Sequence, residues 1–223
     1  MKYLKIIGLV LLVIILAAVA WLYSLSMSKP QGIEGEKAEQ LTDAMLQAVG
    51  YESFKGIKEI SWTFRGKHHH EWDKSKRQVR VKWDENEVLL DFRNQHDVIF
   101  PEDGGSELIE EAIAHFYNDS FWLIAPFKIR DEGTSRFYVE TDDGPGIFVQ
   151  YASGGVTPGD SYLWVLGEDS KPKYWRLWTS NVSINGLKFK WSDWQNHDGV
   201  WMAPTHPGPG PLSIDITNLK VVR

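Results

Sequence analysis

Residues 6–25 form an uninterrupted run without one charged side chain. As a helix rising 1.5 Å per residue, such a run reaches about 30 Å, the thickness of a bilayer's hydrocarbon core. No other feature constrains the chain as strongly. Lys2 and Lys5 precede the run, and Trp21 and Tyr23 sit near its exit, where amphipathic rings favour the membrane interface. Positive charge on the N-terminal side predicts a cytoplasmic tail at residues 1–5, a transmembrane anchor at residues 6–25, and export of the rest. The rival reading is a cleaved signal peptide. Residues 6–17 then form its apolar stretch, and Ala18-Val19-Ala20 the small-residue cleavage site. Both readings export the remainder of the chain.

Residues 26–35 read as a linker with Pro30, Gly32 and Gly35. Residues 36–223 suit one domain better than two, and are long enough to bury a substantial core. The 223-residue chain has a formal net charge of −6. The first 29 residues hold Lys2, Lys5, Lys29 and no acid, so the remainder carries 21 basic against 30 acidic residues, or −9. Such a domain repels polyanions, which argues against nucleic acid as a partner. There is no cysteine, which removes disulfides, thiolate metal sites, a cysteine nucleophile and a lipid-modified cysteine. Tryptophan is abundant, eleven in all, and that many large aromatics suggests that some line a cavity or contact face.

Along the domain the hydrophobic period changes twice. Ala38, Leu41, Met45, Ala48 and Val49 recur at helical spacing over residues 36–49, with Gly50 as the stop. Ile60, Trp62 and Phe64 then alternate with polar residues, as do Val79, Val81 and Trp83, and Val88, Leu90 and Phe92. A second helix is expected over residues 106–117, with Ser106 as N-cap and Leu108, Ile109, Ala112, Ile113 and Phe116 as its apolar face. Strands are expected at residues 136–140, 147–151, 162–166, 174–179, 187–194, 200–205 and 213–222, the last with a slip near Thr217. Ten or eleven strands without long helical crossovers predict an antiparallel sheet. A sheet that large must curl. The expected fold is therefore α+β and mainly antiparallel β: one strongly curved sheet, an incomplete β-barrel, whose concave side is closed by two helices, preceded by the N-terminal transmembrane helix.

Few residues assemble into recognisable chemistry. In His68-His69-His70-Glu71-Trp72-Asp73, a strand places His68, His70 and Trp72 on one face. Imidazoles two apart on a strand can share one metal ion, so His68 and His70 are weak metal candidates. A third ligand is unassigned, since His96, His115, His197 and His206 are scattered, and the plainer explanation of the run is an exposed polar hairpin end. No Gly-x-Ser-x-Gly elbow, phosphate loop or His-Glu-x-x-His motif is present. Asp142-Asp143 beside Gly144-Pro145-Gly146 reads as a turn. No catalytic residue and no cofactor is implied, and the chain does not read as an enzyme.

Residues 118–131 combine Phe121-Trp122-Leu123-Ile124 and Phe127 with flanking Asp119, Lys128, Arg130 and Asp131. They read either as a buried strand with salt-bridged ends or as the wall of an apolar pocket with a polar rim. This block, NDSFWLIAPFKIRDEG, together with GGVTPGDSYLWVL and KFKWSDWQNHDGVWMAPTH, resembles an uncharacterised bacterial envelope family related to the LolA/LolB-like lipoprotein carriers and receptors. The family-like positions are Asp119, Trp122, Pro126, Lys128, Asp131, Thr157, Pro158, Asp160, Tyr162, Asp193 and Trp194. The resemblance implies a curved antiparallel sheet around helices and an apolar cavity that accepts acyl chains. With the N-terminal segment, the expected location is the bacterial inner membrane, single-pass with the C-terminal domain in the periplasm, or a soluble periplasmic protein after signal cleavage. The lipoprotein receptor of that superfamily is lipidated on cysteine, which this chain lacks, so the expected task is related but distinct.

The leading expectation is a non-catalytic binding protein whose partner is a lipid, a lipidated protein or another amphipathic envelope molecule. Trp62, Phe64, Trp83, Phe92, Trp122 and Phe127 are the expected lining, and Lys128, Asp131 and Asp160 the expected rim. One rival is an assembly partner of an envelope membrane complex, using an exposed aromatic strip. Another is a metallohydrolase built on His68 and His70.

Overall fold

The computed structural model describes residues 2–93, 97–100, 105–153 and 159–223. The chain begins with α1 (Lys2–Ser24), followed by α2 (Glu36–Val49) and the short α3 (Tyr51–Lys55). Then come β1 (Glu59–Phe64), β2 (His68–Asp73), β3 (Gln78–Trp83), β4 (Asn86–Asp91) and β5 (Asp97–Phe100). Helix α4 (Ser106–Ile124) runs into a 3-10 turn (Ala125–Lys128). Next are β6 (Thr134–Thr141), β7 (Gly144–Tyr151), β8 (Ser161–Leu166), β9 (Pro172–Trp178) and β10 (Leu187–Lys190). The chain ends with β11 (Gln195–His197), β12 (Val200–Met202), β13 (Thr205–Pro207) and β14 (Ser213–Val222).

The strands form not one sheet but three, of seven, five and two strands, in the orders β13-β14-β1-β2-β3-β4-β5, β10-β9-β8-β7-β6 and β11-β12. Their pairings are antiparallel, as the lack of helical crossovers requires. The two large sheets meet edge to edge at one isolated bridge, where Thr205 accepts the Ser192 amide at 3.0 Å. The expected single curved sheet is thus two sheets joined at a seam, and no closed barrel forms among the described residues. The slip near Thr217 is a register shift: Ser61 faces Lys220 while Thr63 faces Thr217, with Asn218 at φ 54°.

Alternation decides the inner face. Ile60, Trp62 and Phe64 of β1, Val79, Val81 and Trp83 of β3, and Val88 and Leu90 of β4 point inward and are buried. One core cluster joins these to α2, α4 and the inner face of the five-stranded sheet. Helix α2 packs on β6, β7 and the 3-10 turn, burying Ala38, Thr42, Met45, Leu46 and Val49. It stops at Gly50, in the left-handed region at φ 78°, where a Cβ would lie 1.9 Å from the Gly199 carbonyl oxygen. Only glycine meets both conditions.

Helix α4 lies against β3 and β4. It is capped by Gly105 rather than by the expected Ser106, and it runs through Ile124 instead of stopping at residue 117. The stretch read as a possible buried strand is therefore the last two turns of a helix. Pro126 lacks the N–H needed to continue the ladder, and the chain tightens into the 3-10 turn there.

The expected linker is a strap bonded to the sheet. The Met27 amide donates to Asn185 O at 2.8 Å, and Met27 O accepts from Trp178 Nε1 at 2.7 Å. Lys29 Nζ donates to Ser161 Oγ at 3.0 Å, and Ile33 and Tyr138 exchange backbone hydrogen bonds of 2.9 and 2.8 Å. Beneath it, Val139, Phe148, Leu163, Val165, Tyr174 and Trp178 form a second apolar cluster on the other face of the five-stranded sheet. All six residues of β8 are consequently buried.

Helix α1 contributes nothing to the core among the described residues, and its apolar side chains from Ile6 to Tyr23 that are described are exposed. The side chains of residues 1–5, 14, 15, 18 and 22 lie outside the description. Among the described residues no helix is long and apolar enough to cross a membrane, so the fold does not establish the span expected at residues 6–25.

Candidate functional site: an aromatic cavity and an adjoining histidine cluster

Helix α4 carries aromatic side chains at Phe116, Tyr117, Phe121 and Trp122, spread around much of its circumference. Beside them lies a cavity of ≈ 560 Å³. The seven-stranded sheet contributes Trp72 of β2 and, just after β4, Phe92. Tyr151, Tyr162, Trp175 and Leu177 of β7, β8 and β9 form the opposite wall.

These rings brace one another. Phe121 lies 5.1 Å from Tyr162 and 5.7 Å from Tyr151, centroid to centroid. Tyr162 stacks on Trp175 at 4.9 Å, and Phe92 meets Phe116 at 5.4 Å. Such offset and edge-on contacts hold a wall in shape while leaving its surface apolar.

The polar groups lie around this wall. Asp160 is buried, and accepts from Tyr162 Oη at 3.2 Å and from the Ser180 amide at 3.3 Å. Lys128 is ion-paired with Asp131. Lys74 Nζ donates to Phe54 O at 2.7 Å and sits 3.9 Å from the Phe54 ring centre, and burial pulls its ammonium down to about 8. Burial raises the phenols of Tyr151 and Tyr162, the latter helped by neighbouring Asp160. Tyr151 Oη and Trp175 Nε1 are buried without a hydrogen-bond partner among the described residues.

Of the expected lining, Phe92 and Trp122 border the cavity, as do the expected rim residues Lys128, Asp131 and Asp160. The others do not. Trp62 is fully buried and stacks on His70 at 4.7 Å. Trp83 meets His115 edge-on at 5.2 Å, and Phe127 stacks on Phe54 at 4.1 Å. Phe64 borders a separate cavity beside His68. The physical reason is α4: it covers the inward face of the central strands, so an inward residue there meets the helix rather than open space. Trp72, Tyr117, Tyr151, Tyr162, Trp175 and Leu177 were not expected at a cavity; Phe116 was expected only on an apolar helix face, and Phe121 only within the stretch read as a possible pocket wall. Thr157, Pro158 and His96 lie outside the described residues.

On another part of α4, Asp119 meets β2. Its Oδ2 lies 2.7 Å from His68 Nδ1 and 2.8 Å from His70 Nε2, and its Oδ1 accepts from Asn118 Nδ2 at 2.9 Å. Burial lowers the pKa of His70 against the opposing pull of Asp119, so this imidazole favours its neutral form. His115 packs on His68 with centroids 3.9 Å apart. A second cavity, of ≈ 430 Å³, opens beside His68, His115 and Asp119.

No family model matches the chain, and no curated protein matches it. A solved structure to which it is similar is that of a DUF1329 family protein from Desulfovibrio piger, at 13% sequence identity and a TM-score of 0.42, over 83% of this chain and 93% of that one, a likeness too low to carry an argument about this protein.

Proposed function

We propose that this chain is an exported, membrane-anchored binding protein that holds the apolar part of a lipid, a lipidated protein or another amphipathic molecule in its aromatic cavity, without catalysing a reaction on it. The observation that carries this reading is the ≈ 560 Å³ cavity walled by Phe116, Phe121, Trp122, Tyr162 and Trp175. Its volume lies within the range of roughly 300–1,000 Å³ typical of small-molecule sites. Each methylene removed from water there contributes about 0.8 kcal/mol, so half of an ordinary acyl chain suffices for useful affinity. Lys74, Lys128, Asp131 and Asp160 offer polar partners for a headgroup. The resemblance of residues 118–133, 154–166 and 188–206 to the LolA/LolB-like family favours the same class of ligand.

The anchor is the other half of the proposal. Residues 6–25 carry no charge, and exposed Ile6, Leu9, Val13, Leu16 and Val19 leave α1 no polar face. A helix that is apolar all round is stable only when covered, and a bilayer covers it. Lys2 and Lys5 would keep the N-terminus cytoplasmic and the domain periplasmic. Resistance of the full chain to alkaline extraction from membranes, with an intact N-terminus, supports an anchor. A mature N-terminus at Trp21 replaces it with a soluble periplasmic protein.

The binding reading is tested on residues 26–223, which contain the whole core. Energy transfer from the cavity tryptophans to a dansyl-labelled fatty acid should saturate and be reversed by unlabelled amphiphiles. Absence of transfer in a folded domain overturns the reading.

A further inference from the structure

We propose that His68, His70 and Asp119 form a binding site for one divalent transition-metal ion of Zn²⁺ type, open to the second cavity. The inference does not depend on the amphiphile-binding reading, because none of its three ligands lines the aromatic cavity.

The geometry begins with a strand and a helix that cross. His68 and His70 are two residues apart on β2, so both imidazoles leave the same face of the sheet. Helix α4 passes over that face and delivers Asp119 from 49 and 51 positions away. His68 Nδ1, His70 Nε2 and an Asp119 carboxylate oxygen all lie within 4.8 Å of one another. Two imidazole nitrogens and one carboxylate oxygen are the donor set of three-ligand zinc sites, which leave further coordination positions open.

Burial and charge point the same way. His70 and Asp119 are 0% and 1% exposed. A carboxylate that deep in the fold needs a cation, yet among the described residues no lysine or arginine pairs with it. A dication would supply the missing charge. The ligands are also held in place from behind. Asn118 Nδ2 fixes the second carboxylate oxygen, and Trp62 stacks under His70 with an interplanar angle of 21°. Such supporting contacts keep ligands oriented and raise metal affinity.

The site is reachable. His68 is one-fifth exposed, and the cavity of ≈ 430 Å³ beside it is bordered by Phe64, Arg65, Lys67, His115, Asn118 and Asp119, with neither cation paired to Asp119 among the described residues. His115 packs on the His68 ring and is paired with Glu111 at 3.6 Å, so it walls the site beside the three ligands. His69 provides an internal control. It is on the opposite face of β2, paired with Glu71 at 3.4 Å, and takes no part in the cluster.

The test uses the full chain, purified without a histidine tag, stripped with chelator and titrated with zinc and cobalt salts. Near-stoichiometric zinc retained after desalting, and visible ligand-field bands from bound cobalt, are expected. His68→Ala and Asp119→Asn should each weaken zinc binding by more than about tenfold, the size of loss seen even when only supporting contacts are removed. His69→Ala should leave it unchanged. Tryptophan emission and the thermal midpoint, read without metal, check that each variant is folded, and the wild-type cobalt spectrum does not depend on any variant. A wild-type chain that retains no metal, or one whose binding is lost in His69→Ala and kept in His68→Ala, overturns the proposal. The three side chains would then form only a hydrogen-bonded bridge between β2 and α4.

Discussion

The indole of Trp122 meets that of Trp175 edge-on, with ring centres 4.9 Å apart and planes at 76°. The same indole lies 4.9 Å from Phe189 and 5.4 Å from His206. One side chain of α4 therefore links the helix to β9, β10 and β13. Trp122 is only partly buried, so Trp122→Ala should cost about 2 kcal/mol, less than the loss of a fully buried aromatic. Trp122→Phe should cost less than half as much. Urea unfolding midpoints compare them, and a Trp122→Ala loss below about 1 kcal/mol would show that the contact is not a main tie.

Phe92 and Phe127 separate lining from core. Phe92 is half-buried at the cavity, whereas Phe127 is 4% exposed and stacked on Phe54. Phe92→Asp should weaken binding of the dansyl-labelled fatty acid by at least about tenfold, since it removes apolar contact and adds a charge that repels the carboxylate. Its stability loss, from the contacts with Phe116 and Tyr117, should stay below that of Phe127→Ala. Phe127→Ala should do the reverse: stability falls by about 3 kcal/mol, while binding to the folded fraction is kept. Equal effects of both variants on binding would place the ligand elsewhere.

His206 is buried between Trp122 and Trp191, and burial pushes its imidazole down to about 4, against a smaller opposite pull from backbone groups of Lys190 and Trp122. The unfolded chain takes up that proton from about pH 6.5 downward, the folded one only near pH 4. Stability contributed by the neutral ring is thus complete above about pH 6.5 and is lost as pH falls through the window between the two values. Between pH 7.5 and pH 5 this residue should account for about 2 kcal/mol. Urea midpoints for the wild type and for His206→Gln at both pH values isolate the term, which should be absent from the variant. An unchanged pH slope in His206→Gln would remove the assignment.

The strap after α1 depends on Gly32. A Cβ there would stand 2.5 Å from Phe137 Cβ and 3.0 Å from Tyr138 O. Gly32→Val should lift the strap from the five-stranded sheet and cost about 1–3 kcal/mol. Amide exchange at Ile33 and Tyr138, whose hydrogen bonds pair the two segments, should speed up, while exchange in β3 stays slow. Unchanged protection at Ile33 would mean that the sheet yields instead.

What the chain encodes locally could be read without tertiary information. Helix α2 occupies residues 36–49 as its apolar spacing requires, and β14 spans the expected residues 213–222, slip included. Ile60, Trp62, Phe64, Val79, Val81 and Trp83 face inward because period-two alternation leaves no other choice once one face is buried. Those patterns depend on neighbours within a few residues. The cavity and the histidine cluster depend on where α4 crosses the sheets, and no local period encodes that. The crossing turns Trp62 and Trp83 into core, leaves Trp72 and Phe92 beside open space, and brings Asp119 to His68 and His70. Residues 26–35 show the same division: a glycine- and proline-containing stretch reads as a linker, and only the apolar outer face of the folded five-stranded sheet makes it a strap, because burying that face outweighs the freedom of a loose chain.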